Sequence, residues 1–195
     1  LKFYFSKHNK LISIKKNLID SVSKKNIKKT RPFFSLNKKI VGESHLSKIR
    51  KVIDYLKKNK TDFLFISAPE NVAWILNIRG YDNPTSPIPN CRLIIGKNKK
   101  LFLIAKEENC QKIIKENIIK KNQLIDLDNF ENFINKIKGK NFIIDNQSCS
   151  IFYEKIIKSK FNIINKGDPI YDLKSVKNPC EIKHMIEAHN KDGLA

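Results

Sequence analysis

Histidines, cysteines and paired carboxylates are the side chains that could bind a metal, move a proton or attack a carbonyl, and their spacing in this 195-residue chain supports little of that chemistry. His8 and His45 stand alone. His184 and His189 are five residues apart, which is ~140° around a helix of ~3.6 residues per turn, so they do not converge on one ion. Cys91, Cys110, Cys149 and Cys180 form no C-x-x-C pair, so neither a zinc ribbon nor a dithiol redox motif is supported. Free buried thiols in a reducing cytoplasm are the expected state, with a disulfide as the alternative. Asp126, Asp128 and Asp145 fall at the ends of predicted strands, where capping and turn roles account for them. A G-x-S-x-G elbow, an H-E-x-x-H helix, a P-loop and a G-x-G-x-x-G turn are all absent.

One stretch is more specific than bulk structure requires. Asn71-Val72-Ala73-Trp74-Ile75-Leu76-Asn77-Ile78-Arg79-Gly80-Tyr81-Asp82-Asn83-Pro84 holds the single tryptophan and one of only four arginines, at a predicted helix-to-loop junction. A structural account has Trp74 in the core, Gly80 ending the helix with positive φ, and Arg79 paired with Asp82. A functional account leaves Arg79 and Asp82, with Tyr81 and Asn83 beside them, facing a partner or a substrate path. The sequence leaves both open.

The elements that must position this stretch are legible from periodicity. Ser44 caps a helix whose buried face is Leu46, Ile49, Val52, Ile53 and Leu56. Asp62 to Ser67 reads as a strand, and Pro69-Glu70 opens the helix that carries Asn71 to Leu76. Three prolines, with Gly80 and Asp82, make 79–90 an irregular loop, neither helical nor paired in a sheet. Cys91–Ile95 and Leu101–Ile104 flank a Gly-Lys-Asn-Lys-Lys turn and predict a hairpin. Helices at 107–119, 128–137 and 150–157 then alternate with strands at 123–125, 141–144 and 161–164, with Gly139 ending the second of these helices. Finally Asn178, Pro179 and Glu181 form a capping box that opens a helix with Ile182, Met185, Ile186 and His189 on one face. The alternation predicts an α/β fold with a mixed sheet flanked by helices.

Composition narrows the partners. Hydrophobic residues at 41% are enough to bury a core despite 30% charged residues. No apolar run approaches the ~20 residues of a membrane-spanning helix, so no membrane partner is expected. A net charge of +20 suggests a polyanion, but only Arg31, Arg50, Arg79 and Arg92 among 39 basic residues carry the fork that reads phosphate and bases. The lysines are spread along the chain, so no nucleic-acid partner is expected. The chain starts at Leu1 and stops at Ala195 inside a helix, and it reads as an interior piece of a longer protein.

Ala73, Trp74, Asn77, Arg79, Gly80, Asp82 and Pro87 match, in order and spacing, a segment that resembles the aminopeptidase P (Xaa-Pro aminopeptidase) family, with Tyr81 where serine is usual. Asp168-Pro169-Ile170, Leu173 to Ile182, Met185, Ala188-His189 and Lys191 to Ala195 resemble that family's entry into its catalytic domain, with His184 where glycine is usual. Asn17-Leu18-Ile19-Asp20 with Arg31-Pro32 is similar to the end of its first domain.

The resemblance implies residues 1–40 as the tail of a preceding domain, 41–173 as a second creatinase N-terminal-like domain with a ribonuclease H-like motif, and 174–195 as the linker and truncated first helix of a pita-bread catalytic domain. It implies a cytoplasmic, homo-oligomeric enzyme that removes the residue before proline, using two divalent metal ions, usually manganese. The metal ligands and the peptide substrate's site would lie beyond Ala195, so this piece is expected to bind no metal and to have no catalytic residue. The loop with Arg79, Tyr81, Asp82 and Asn83 is expected to face the active-site approach or a subunit contact. The alternatives are a free-standing interaction module of the same fold, or a prolidase-type relative.

Overall fold

The apolar runs pair into one sheet because each is short, β-branched or aromatic, and apolar on both faces. The computed structural model describes residues 18–22 and 31–194. The described residues begin with α1 (Leu18–Val22), β1 (Phe34–Ser35), α2 (Lys38–Val41) and α3 (His45–Lys58). It continues through β2 (Phe63–Ile66), α4 (Pro69–Leu76), β3 (Ile78–Arg79), β4 (Arg92–Gly96), β5 (Leu101–Ile104) and α5 (Glu107–Lys115). The second half is β6 (Leu124–Ile125), α6 (Phe130–Lys136), β7 (Asn141–Ile144), α7 (Ile151–Lys158), β8 (Asn162–Asn165), α8 (Pro169–Ser175) and α9 (Pro179–Asp192).

Six strands form a mixed sheet in the order β6-β5-β4-β2-β7-β8. β2 is antiparallel to β4 and parallel to β7, so the sheet changes character at its centre. The hairpin β4–β5 is the one expected, closed through Gly96 and Lys100. Side chains alternate between two cores. Leu64, Ile66, Leu93, Ile95, Leu103 and Ile143 meet α3, α4, α5 and Phe33 on one face. Phe63, Phe65, Ile94, Ile104, Phe142 and Ile144 meet Phe130 and Ile134 of α6, Ile157 of α7, and Phe161 on the other. Phe142 stacks on Phe63 with 4.8 Å between centroids and meets Phe161 edge-on at 4.9 Å. Each fully buried Phe or Leu of this kind contributes roughly 1.5–3 kcal/mol.

Several expectations need correction. Leu46 is 64% exposed, while Lys48 is 1% exposed and takes its place on the buried side of α3. At ~100° per residue Leu46 lies about 70° and Lys48 about 90° from the centre of the Ile49–Val52–Ile53–Leu56 face, on opposite sides, so rotation leaves both at its edge. The choice falls to α4, whose C-terminal end offers acceptors to the ammonium. The helix from Glu107 ends at Lys115 rather than 119, because Asn117 turns left-handed (φ 56°) and Ile118 N–H bonds back to Ile113. Gly139 does not end α6, whose extended cap is Ile137; a Cβ at Gly139 would collide with the Phe63 ring.

Residues 121–123 and 127–129 form 3₁₀ turns, which shortens both neighbouring expectations. Arg79 is in a strand, because β3 pairs antiparallel with β1. α8 was not expected; Asp168 caps it by accepting from Ile170 N, with Pro169 at its first position. Asn17 and Asp20 lie outside the residues whose side chains are described, while Leu18 begins the short α1.

Candidate functional site

The residues singled out by sequence lie where α4 ends, and the start of α9 packs against the same place. α4 stops because Asn77 is left-handed (φ 55°), its own N–H bonding back to Ala73 and Trp74 carbonyls. Gly80, expected to do this, has no positive φ. Gly80 is required for a different reason: a Cβ there would sit 2.8 Å from Pro89 Cα and 3.0 Å from the Phe33 ring.

Two cations gather on carbonyls at the C-terminal end of α4 and just beyond it. Lys48 Nζ donates to Trp74 O (3.0 Å) and to Asn77 Oδ1 (2.8 Å), and it lies 3.9 Å from the centre of the Trp74 ring. Arg79 Nη1 donates to Ile78 O (2.9 Å) and Ala73 O (3.3 Å). Positive charge at a helix C-terminus is favourable, and here it adds a second donor to the Ala73 and Trp74 carbonyls, which already accept from Asn77 N. Asn77 completes the knot by donating from Nδ2 to Glu43 O (2.8 Å). Burial pushes the Lys48 ammonium down to about 8, against the opposing pull of Glu181 and Glu43. Burial also lowers the Arg79 guanidinium.

Trp74 is half-buried at the edge of the core rather than inside it, and its indole N–H reaches Glu181 Oε1 at 3.2 Å. Glu181 and Asn178 form the capping box of α9, with both reciprocal bonds at 2.9 Å. Asn178 Nδ2 in turn donates to Val41 O (2.9 Å), and the Cys180 thiol lies 3.1 Å from Lys39 O. Gly42, with φ 73°, passes so close under Asn178 that a side chain there would strike it. The start of α9 is thus seated in a socket made by α2, Gly42 and Trp74. Beside it a cavity of about 250 Å³ opens between Leu36, Val41, Lys48, Trp74, Arg79 and Met185. Ile182, Met185 and Ile186 of α9, expected on one face, are each about half exposed in this chain.

The four candidate loop residues do not share a site. Arg79 and Asp82 are not paired: Asp82 Oδ2 instead accepts from Asn90 N at 2.6 Å, closing the loop on itself. Asn83 Oδ1 accepts from Thr85 N and Oγ1. Tyr81, 53% exposed, lies 5.4 Å from the Phe34 ring and 5.4 Å from the Arg31 guanidinium. The sequence missed Lys48, whose helical position reads as solvent-facing, and Glu181 as a partner of Trp74, since that contact spans more than a hundred residues.

Asp126 and Asp145 have the turn roles expected. Asp126 accepts from Asp128 N; Asp145 accepts from Gln147 N (2.9 Å) and Asp168 N (3.2 Å). Burial raises the Asp168 carboxyl, eased by the bonds it accepts from Ile170 N and Asn71 Nδ2. Of the cysteines, all free, Cys91 and Cys110 are buried as expected, whereas Cys149 and Cys180 are partly exposed. Among the described residues no three His, Cys, Asp or Glu side chains gather closely enough to hold a metal ion. The described residues therefore supply no ligand set for the dinuclear centre that the resemblance implies. Nor is any described helix long and apolar enough to cross a membrane.

Comparison with known proteins bears on the family and the fold. A probable Xaa-Pro aminopeptidase P of Laccaria bicolor is 26% identical over 97% of this chain and 30% of its own length. Xaa-Pro aminopeptidase 1 of Dictyostelium discoideum is 27% identical over 83% of this chain and 26% of its own. The chain thus spans about a third or less of the curated relatives it matches. Among solved structures, the X-prolyl aminopeptidase of Caenorhabditis elegans, described as a cytosolic enzyme with a di-nuclear active site, superposes with a TM-score of 0.73. That likeness covers 91% of this chain and 30% of the nematode chain at 19% identity, and it speaks to the fold. The N-terminal domain of an Xaa-Pro dipeptidase from Lactobacillus brevis superposes at 0.50 with 11% identity, covering 66% of this chain and 99% of that domain. Residues 24–181 match the family described as the creatinase/prolidase N-terminal domain, and the chain belongs to that family.

Proposed function

We propose that this chain is the non-catalytic middle of a metal-dependent Xaa-Pro aminopeptidase. Residues 41–173 form its second creatinase-like domain, 1–40 lead out of the preceding one, and 174–195 carry the chain into the catalytic domain. The observation that supports this most is the extent of the similarity. The alignment to the Laccaria protein covers 97% of the chain, so it necessarily runs past residue 181 into α9. α9 itself starts from a capping box locked to the domain through Trp74 and Asn178, which suits a helix whose direction sets where a catalytic domain would sit.

In this reading the domain supplies shape, not chemistry. It contributes to homo-oligomer contacts and limits access to the active site, with the exposed part of the Arg79–Asn90 loop, Tyr81 in particular, at one of those surfaces. Two divalent ions, manganese by the family's habit, would be held by residues outside this chain, and the enzyme would be cytoplasmic, as the nematode relative is described to be. The test is metal-dependent release of the first residue from an Xaa-Pro-Xaa peptide, comparing this chain with one extended through its reading frame. Activity in the extended chain alone is expected; inactivity in both would favour a free-standing interaction module.

A further inference from the structure

The cations at the junction of α4 and α9 differ in how completely they are matched. Lys48 donates to Trp74 O and Asn77 Oδ1 and covers the Trp74 ring. Lys177, in the cavity wall, donates to Lys174 O and Ser175 O at the end of α8. Glu181, the acidic residue of that wall, has both oxygens engaged, one by Trp74 Nε1 and one by Asn178 N. His184 sits 3.5 Å from Glu187.

Arg79 is engaged through one nitrogen alone. Its hydrogen bonds all leave from Nη1 and end on backbone carbonyls, so among the described residues Nε and Nη2 have no partner and the guanidinium has no carboxylate. Those two nitrogens form the side-on edge of the fork, the edge that takes both oxygens of a carboxylate. Neither nitrogen is among the buried polar atoms left unpaired, so that edge is accessible and free to take a partner.

We propose that the cavity is a carboxylate-binding site, in which the Nε–Nη2 edge of Arg79 takes the two carboxylate oxygens and Leu36, Val41 and Met185 enclose a short aliphatic body. The charge balance of the wall favours an anion: Lys48, Arg79 and Lys177 face the single Glu181, whose own oxygens are occupied. The volume of about 250 Å³ sets the size. It is below the roughly 300–1,000 Å³ of pockets that hold larger organic ligands, so it suits a four- or five-carbon acid or one aspartate or glutamate side chain. The carboxylate can therefore come from a free small acid or from a second copy of this chain. The site is made of this chain's own residues and stands whether or not the longer protein is a peptidase.

Trp74 is the only tryptophan of the chain and lines the cavity, so its fluorescence reads the site directly. Butyrate is titrated at constant ionic strength against sodium chloride, with butyramide as the uncharged isostere. A saturable change with butyrate, and none with butyramide, is expected. Arg79→Gln should weaken the response about tenfold or more, as expected for loss of a charge-assisted pair. Arg79→Lys keeps a cation for the α4 carbonyls, so it stays folded by circular dichroism, and it should lose most of the affinity because a single ammonium cannot form the fork.

Protein dilution separates the sources: a second copy's side chain gives a Trp74 signal that changes with protein concentration in step with a dimer seen by sedimentation, and butyrate suppresses both. A concentration-independent signal assigns the site to a free acid. The proposal is overturned by an equal response to butyramide, by no saturable response to butyrate, or by unchanged butyrate affinity in folded Arg79→Lys.

Discussion

Replacing Lys48 by methionine should change the pH dependence of stability in a direction fixed by the burial of its ammonium. Lys48 is 1% exposed and its ammonium is pushed down from 10.5 to about 8, chiefly by desolvation. In the unfolded chain it titrates near 10.5, so between about 8 and 10.5 the unfolded state binds more protons than the folded one. Stability then rises with pH across that window. The penalty is fully present below pH 8, where both states are protonated, and fades as the unfolded lysine loses its proton. Each tenfold change in proton affinity is worth about 1.4 kcal/mol, so the penalty is about 3 kcal/mol at pH 7 and under about 1 kcal/mol at pH 10.

Methionine has a similar length and no charge, so the variant lacks this penalty. The difference in urea unfolding free energy between parent and Lys48→Met should therefore move by about 2–3 kcal/mol in the parent's favour from pH 7 to pH 10. Comparing the two proteins at each pH cancels the other lysines. The bonds from Lys48 to Trp74 O and Asn77 Oδ1 set the size of the difference at any one pH. A difference that stayed flat between pH 7 and pH 10 would falsify the assignment of Lys48 as a desolvated cation.

Three more outcomes rest on the same geometry. Gly80→Ala should destabilise by about 1–3 kcal/mol in urea, because its Cβ meets the backbone of Pro89 at 2.8 Å and backbone cannot swing aside; a neutral result would mean that the loop closes less tightly than these distances require. In a double-mutant cycle, Trp74→Phe and Glu181→Ala should be non-additive by about 0.5–1 kcal/mol, since each removes one end of the 3.2 Å bond that seats α9; additivity would remove Trp74 from the socket. In the native chain at pH 8 an alkylating reagent, read by mass spectrometry, should modify the partly exposed Cys180 first. Cys91 and Cys110 should react only after unfolding, since burial raises both thiols, Cys110 to about 12.

Periodicity and capping carried most of the architecture. Ser44, Pro69 and Asn178 each open the helix their residue type predicts, and β7 occupies the residues expected. What was not legible depends on contacts between distant segments. Leu46 and Lys48 lie at opposite edges of the buried face, and the acceptors at the end of α4 decide that the lysine is the buried one. Asn77 rather than Gly80 ends α4 because its side chain is held from both sides, by Lys48 and by Glu43 O, which offsets the strain of a left-handed non-glycine residue. β1 and β3 are two residues each and leave no periodic signal, so their pairing could not be read. α8 has both an Asp168 cap and Pro169 in its sequence, yet it is short and straddles the expected boundary at 173/174 between domain and linker.

The central place of β2 also sets an order of events during synthesis. Phe63 is hydrogen-bonded on one side to the strand containing Gly96 and on the other to the strand containing Phe142. The antiparallel half can therefore close as soon as β5 has emerged, while the other edge of β2 stays open. At ~5–20 residues per second the stretch from Ile104 to Ile144 takes roughly 2–8 s to make. For that time the nascent chain displays an unpaired strand edge and bare phenylalanine rings, Phe63 and Phe65, which places its greatest exposure to mispairing and chaperone capture between the emergence of β5 and of β7.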